Sequence, residues 1–179
     1  MAAEIYATIL RAFVIAAALL LLVFSAKSET LPRGSLNNLS RTPGATNPDI
    51  TQDNIDKTIC NRGKWSTKSI RPPTSYTNKL KKKQIVEYGY KNKTMATYEE
   101  DHLISLQIGG SPTDPKNLWP EPYAGKWGAR KKDGLENRLN RLICNETMTL
   151  RQAQTCISHN WIECYNKVMI DPPVRPAKR

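Results

Sequence analysis

Between Thr97 and Pro122 the chain carries two short strand-like segments, Thr97 to Leu106 and Asn117 to Pro122. The loop between them contains Gly109-Gly110-Ser111-Pro112, turn formers that interrupt any helix. Trp127 to Cys144 comes directly after, with Leu135, Leu139, Leu142 and Ile143 recurring on one helical face. The order strand, loop, strand, helix at the centre of the chain points to an α+β fold, a hairpin with a helix laid against it.

Two more helices flank this centre. Ser75 to Tyr88 starts after Pro72-Pro73 and ends at Gly89, with Tyr76, Leu80, Ile85 and Tyr88 in only fair periodicity. Leu150 to Val168 is the strongest. Thr149 and Gln152 form a capping-box pattern, and Leu150, Ala153, Ile157, Trp161, Cys164, Tyr165 and Val168 make one apolar stripe that reads as core. Residues 29–50 are rich in Pro, Gly and Asn and read as a flexible linker; residues 171–179 read as a loose basic tail. The folded body is expected over 51–170.

Residues 1–28 differ from the rest. Arg11 precedes the apolar run Ala12 to Phe24, and Ala26 and Ser28 stand at small-residue positions, the pattern of a secretory signal peptide. Retained, Ile5 to Phe24 is long enough to anchor the chain in a bilayer, although Arg11 interrupts it. Both readings carry the body across a membrane, to a secreted or periplasmic location or anchored outside. Export bears on Cys60, Cys144, Cys156 and Cys164. No CxxC pair occurs, so a zinc ribbon is not expected. Cys156 and Cys164, about 12 Å apart along a regular helix, are too distant to bridge there. The expected disulfide is Cys60–Cys144, with buried free thiols as the alternative.

Lys and Arg outnumber Asp and Glu by 27 to 16, a net charge of +11. That excess favours a polyanionic partner such as nucleic acid, anionic lipid or acidic polysaccharide. The plainer alternative is a soluble protein with a basic surface. Lys81, Lys82 and Lys83, and Arg130, Lys131 and Lys132, are candidate phosphate contacts or solvated helix faces. Trp119 and Trp127 suit core packing better than base stacking. His159 reads as a surface residue, and Asn92-Lys93-Thr94 and Asn145-Glu146-Thr147 are glycosylation sequons.

His102 is one of two histidines and comes directly after Glu99-Glu100-Asp101. Neighbouring side chains on a strand point to opposite faces, so Asp101 and His102 converge only where the strand bulges or ends. Tyr98 to Leu106, Ile108-Gly109-Gly110 and Asn117-Leu118-Trp119-Pro120-Glu121 together resemble the core of the ββα-metal (HNH-like) nucleases. More narrowly they resemble an exported bacterial subgroup with an Asp-His-Leu-Ile…Gly-Gly…Asn-Leu-Trp-Pro-Glu core. The likeness extends over Thr58-Ile59-Cys60, residues 68–73, Ala129 to Glu136, and Leu150 to Trp161.

The resemblance implies a ββα-metal hairpin-and-helix core and metal-dependent, sequence-tolerant hydrolysis of DNA or RNA by the 51–170 domain. Asp101 would ligate Mg²⁺ or Mn²⁺. His102 would be the general base, and Asn117 would hold the loop and orient His102. Members often carry Asn or His as a last ligand on the helix, where this chain has Gly128. Asp133 and Glu136 are the substitutes by type, or else partners of ordinary salt bridges. Two rival functions remain: a non-catalytic binder of extracellular nucleic acid, and a cell-envelope protein whose basic face meets anionic lipid or polysaccharide.

Overall fold

The computed structural model describes Leu31 and residues 34–170. The expected signal or anchor, 1–28, and the tail, 171–179, lie outside the described residues. The fold is mixed α+β. Strands β1 (Tyr98–His102) and β2 (Leu118–Pro122) form an antiparallel hairpin with Glu99 opposite Glu121, Asp101 opposite Trp119 and His102 opposite Leu118. Helix α1 (Thr74–Glu87) packs against both strands, α2 (Ala129–Cys144) meets the end of β1 through Lys132, and α3 (Leu150–Tyr165) packs on α2. The strands are shorter than the sequence predicts: after His102 the chain leaves the ladder, and Leu106–Ile108 is a 3₁₀ turn.

The main core lies where α2, α3 and the segment around Ile50, Ile55 and Ile59 meet. Leu135, Leu139, Leu142 and Ile143 from α2 join Leu150, Ala153, Ile157 and Trp161 from α3, so the two stripes read from sequence face one another. A smaller cluster holds α1 to the hairpin through Ile85, Tyr90 and Tyr98, with the Tyr90 and Tyr98 rings stacked at 4.9 Å. Lys81 Nζ donates to Tyr98 O at 3.0 Å and Gln84 Nε2 to Leu118 O at 2.8 Å, fastening α1 across both strands.

Two sequence expectations fail. Residues 34–50 are no flexible linker. Trp161 Nε1 donates to Ser35 O at 2.8 Å, Gly44 N to Lys116 O at 2.9 Å and Asn47 N to Gly109 O at 2.8 Å. Ser35, Asn37, Thr42 and Asn47 are buried. Turn-forming residues reveal a local bend, not whether it is packed; here the irregular segment satisfies the backbone of another irregular loop. The second failure is Cys156 and Cys164, which are bridged, with Cα atoms 5.3 Å apart. The helix is broken at Asn160 (φ −158°, ψ 98°), which removes the regular 12 Å spacing. Asn160 Oδ1 accepts from the amides of Ile162 and Glu163, so it caps a fresh helical start beyond the break. The expected Cys60–Cys144 bridge is present as well. Two disulfides suit an oxidising compartment. Among the described residues no helix is long and apolar enough to cross a membrane.

Candidate active site

β1 ends at His102, and one buried side chain shapes the loop beyond it. Asn117 Oδ1 accepts from Ile104 N at 2.9 Å, while its Nδ2 donates to Ile104 O at 3.0 Å and Ser111 O at 2.9 Å. Its backbone carbonyl takes Leu103 N at 2.8 Å. Asn117 thus supplies by side chain the hydrogen bonds that a longer ladder would have made. Gly110 presses against the same place, where an added Cβ would fall 1.6 Å from Ile104 O, so no side chain is possible there. The loop so fixed brings Pro112 O to 3.0 Å from His102 Nε2. A carbonyl only accepts, so Nε2 carries the proton and Nδ1 is left with its lone pair. Burial, above all, lowers the His102 pKa below the ordinary histidine value and keeps the ring neutral.

Behind the strand end lies Lys132, whose side chain is fully buried. Its Nζ donates to Asp101 Oδ2 and Glu136 Oε1, both at 2.5 Å, and to His102 O at 2.9 Å. Burial alone would lower its pKa, but Asp101 first, then Glu136 and Glu121, raise it, so the ammonium stays charged. One side chain from α2 therefore fixes the carboxylate of Asp101 and the backbone of His102 together.

Burial raises the pKa of several carboxyl groups in the hairpin and beside it. Glu121, wholly buried with no donor on either oxygen, is raised well above the ordinary glutamate range, by burial first and then by the Asp101 charge. Burial pushes Glu100 up to about 8, with Lys81 opposing, and its oxygens also lack donors. Glu136 rises to about 7, by burial against the pull of Lys132. Glu99 rises to about 6, by burial and then by the charges of Asp101 and Asp133.

The structure sorts the predicted site residues. Asp101, His102 and Asn117 come together with Lys132 and Glu136. Lys132 is sealed inside, where solvent and a phosphate backbone do not reach it, and its ammonium is held by Asp101 and Glu136. Glu136 lies buried behind Lys132, which takes one of its oxygens and turns the expected metal ligand into an ion-pair partner. Asp133 is exposed and close enough to Asp101 and Glu99 for their charges to interact. Lys81 is half-buried and structural. Lys82, Lys83, Arg130 and Lys131 are exposed, with Lys83 paired to Glu87 at 3.4 Å and Lys131 over the Tyr165 ring at 4.7 Å. Trp119 is fully buried and Trp127 packs edge-on against Trp161, as core. His159 and both sequon asparagines, Asn92 and Asn145, are exposed.

Sequence reasoning quoted Arg71 and Glu121 only within the resembling segments and gave neither a role. The charge of Arg71 reaches His102, Glu99 and Asp133 from the loop just before α1, a proximity that only the fold reveals. Glu121 sits opposite Glu99 in the register, a pairing legible once the hairpin is drawn.

Among the described residues no three His, Cys, Asp or Glu side chains gather to hold a metal ion. Gly128 cannot be exchanged for a ligand, since a Cβ there would lie 2.3 Å from Tyr123 O. A Mg²⁺ ion that keeps most of its water needs only one or two carboxylates. Asp101, whose side chain is 12% exposed, and Asp133 are the pair whose chemistry suits such an ion. No protein-family model, curated protein or solved structure matches the chain.

Proposed function

We propose that the protein is an exported endonuclease of the ββα-metal kind, hydrolysing phosphodiester bonds in DNA or RNA with little regard to sequence. The observation that carries this reading is His102: a neutral imidazole at the end of a hairpin strand, its Nε2–H spent on Pro112 O and its Nδ1 left to accept a proton. Such a ring can take a proton from water near neutral pH. Asn117 holds the loop that holds the imidazole. Lys132 orients Asp101, and Arg71 supplies positive charge at the same place for the phosphate. Mg²⁺ on Asp101 and Asp133 would neutralise the scissile phosphate and the leaving oxygen. The low sequence specificity comes from contact with phosphate, which carries no base information.

One observation favours a second reading, a nucleic-acid binder without hydrolysis. Lys132 already occupies an oxygen of Asp101, and a buried ammonium repels a divalent cation on the same carboxylate. Incubation of the mature protein with supercoiled plasmid, in Mg²⁺ and in chelator, separates the two. Nicking or linearisation with Mg²⁺ is expected, and His102→Ala should slow it by roughly 10²–10⁴-fold while DNA binding persists. Parent-like cutting by His102→Ala would remove the mechanism, and binding with no cutting by the parent would leave the binder.

A further inference from the structure

A second polar site lies further along α2, towards its C-terminal end. A cleft of about 360 Å³ is lined by Arg62, Trp65, Gln107, Asn137, Asn140 and Arg141, among others, with no carboxylate in its wall. Its size falls in the range of small-ligand sites, about 300–1,000 Å³. Arg62 and Arg141 are exposed, and neither is paired with a carboxylate among the described residues. Trp65 is half-buried, anchored on the core yet part of the cleft wall.

The cleft is held rigidly. Arg62 Nη2 donates to Asn140 Oδ1 at 3.1 Å, and Asn140 Nδ2 donates to Gln107 O at 2.7 Å. Asn140 is itself 3% exposed. The Cys60–Cys144 disulfide joins the two walls, two residues before Arg62 and three after Arg141. Nothing in the active site requires this arrangement, yet it places two guanidinium groups and an indole around one space, with that of Arg62 held by Asn140.

We propose that this cleft is a nucleotide subsite, with a phosphate on Arg62 and Arg141 and a base against Trp65. Guanidinium forks match phosphate oxygens, and an indole face accepts any base. The assignment extends the phosphodiesterase reading and rests on it for the choice of nucleic acid over other polyanions. Along α2, Arg141 lies eight residues beyond Asp133, about 12 Å at 1.5 Å per residue. That rise matches roughly three to four base steps of 3.4 Å.

The test uses the full mature chain carrying His102→Ala, a short single-stranded oligonucleotide and chelator, with binding read by calorimetry and tryptophan fluorescence. Arg62→Ala should weaken binding by roughly tenfold and lower the salt slope by about one. Arg141→Glu, an exposed change that spares the fold, should weaken it by more, and inorganic phosphate alone should bind far less tightly than the oligonucleotide. Binding by Arg141→Glu equal to that of the His102→Ala chain would overturn the subsite, as would a sulfated polysaccharide that binds the cleft as tightly as the oligonucleotide. Plasmid cleavage by the parent is scored separately. Cutting with arginine-independent binding sinks the subsite alone, and arginine-dependent binding without cutting sinks the hydrolase reading alone.

Discussion

A lysine with no exposure persists in a fold only if its charge is matched at close range, and Lys132 is matched by Asp101, Glu136 and a backbone carbonyl. Removing it leaves carboxylates buried without a cation. Lys132→Met should cost about 3–5 kcal/mol in chemical denaturation. The loss should be smaller at pH 5 than at pH 8, because the abandoned carboxyls can protonate. Equal stability of variant and parent at pH 8 would contradict the role assigned to this residue. A different sign belongs to Glu100. Its folded pKa, about 8, exceeds the ordinary glutamate value of 4.5, so between those values the folded state binds more protons. Its contribution is present at low pH and is lost as pH rises towards 8. His102 acts the other way: its lowered pKa means stability is lost as pH falls below the ordinary histidine value, about 6.5. Thermal stability should therefore peak near pH 5–6 and decline towards pH 8.5. Glu100→Gln should recover about 2 kcal/mol at the alkaline end, on the order of 4–8 °C in melting temperature. A variant whose melting temperature falls as steeply as the parent's would refute the assignment.

Among the helices and strands, whatever repeats with a period was legible in the sequence. The stripes of α2 and α3, the Thr149–Gln152 capping box and the order strand, loop, strand, helix all emerge from residue spacing, because burial of one face imposes it. The grouping of Asp101, His102 and Asn117 was expected from the resemblance to ββα-metal nucleases and not from periodicity, which carried the first strand on to Leu106, past its end at His102. Features set by contact between distant segments escaped. The break at Asn160 leaves the apolar stripe intact and is invisible to periodicity, yet it decides whether Cys156 can reach Cys164. The burial of Lys132 was hidden too, since Arg130-Lys131-Lys132 reads as a uniform basic run. Helical rotation turns the third member inward by about 100° per residue while the first two stay in water.

For the folded chain taken together, the decisive link is Cys60–Cys144, which closes 84 residues of sequence and contains the hairpin and its loop. In the chain-entropy account a loop of that size contributes about 4.5 kcal/mol, so replacing both cysteines by serine should lower stability by roughly that amount. Calorimetric melting of the double variant tests this, and an unchanged melting temperature would show that the packing of α2 already holds the segment in place. The same variant should loosen the arginine cleft more than the histidine site, because only the cleft has one wall on each side of the bridge.

The four cysteines also pair in the order in which they occur, first with second and third with fourth. A chain that enters an oxidising space with its amino end leading exposes Cys60 and then Cys144 before either of the last two. Oxidation of each thiol with the next to arrive yields the native pairs directly, through no crossed intermediate that must later be reshuffled by thiol exchange. The connectivity thus suits stepwise pairing in the order in which the thiols arrive.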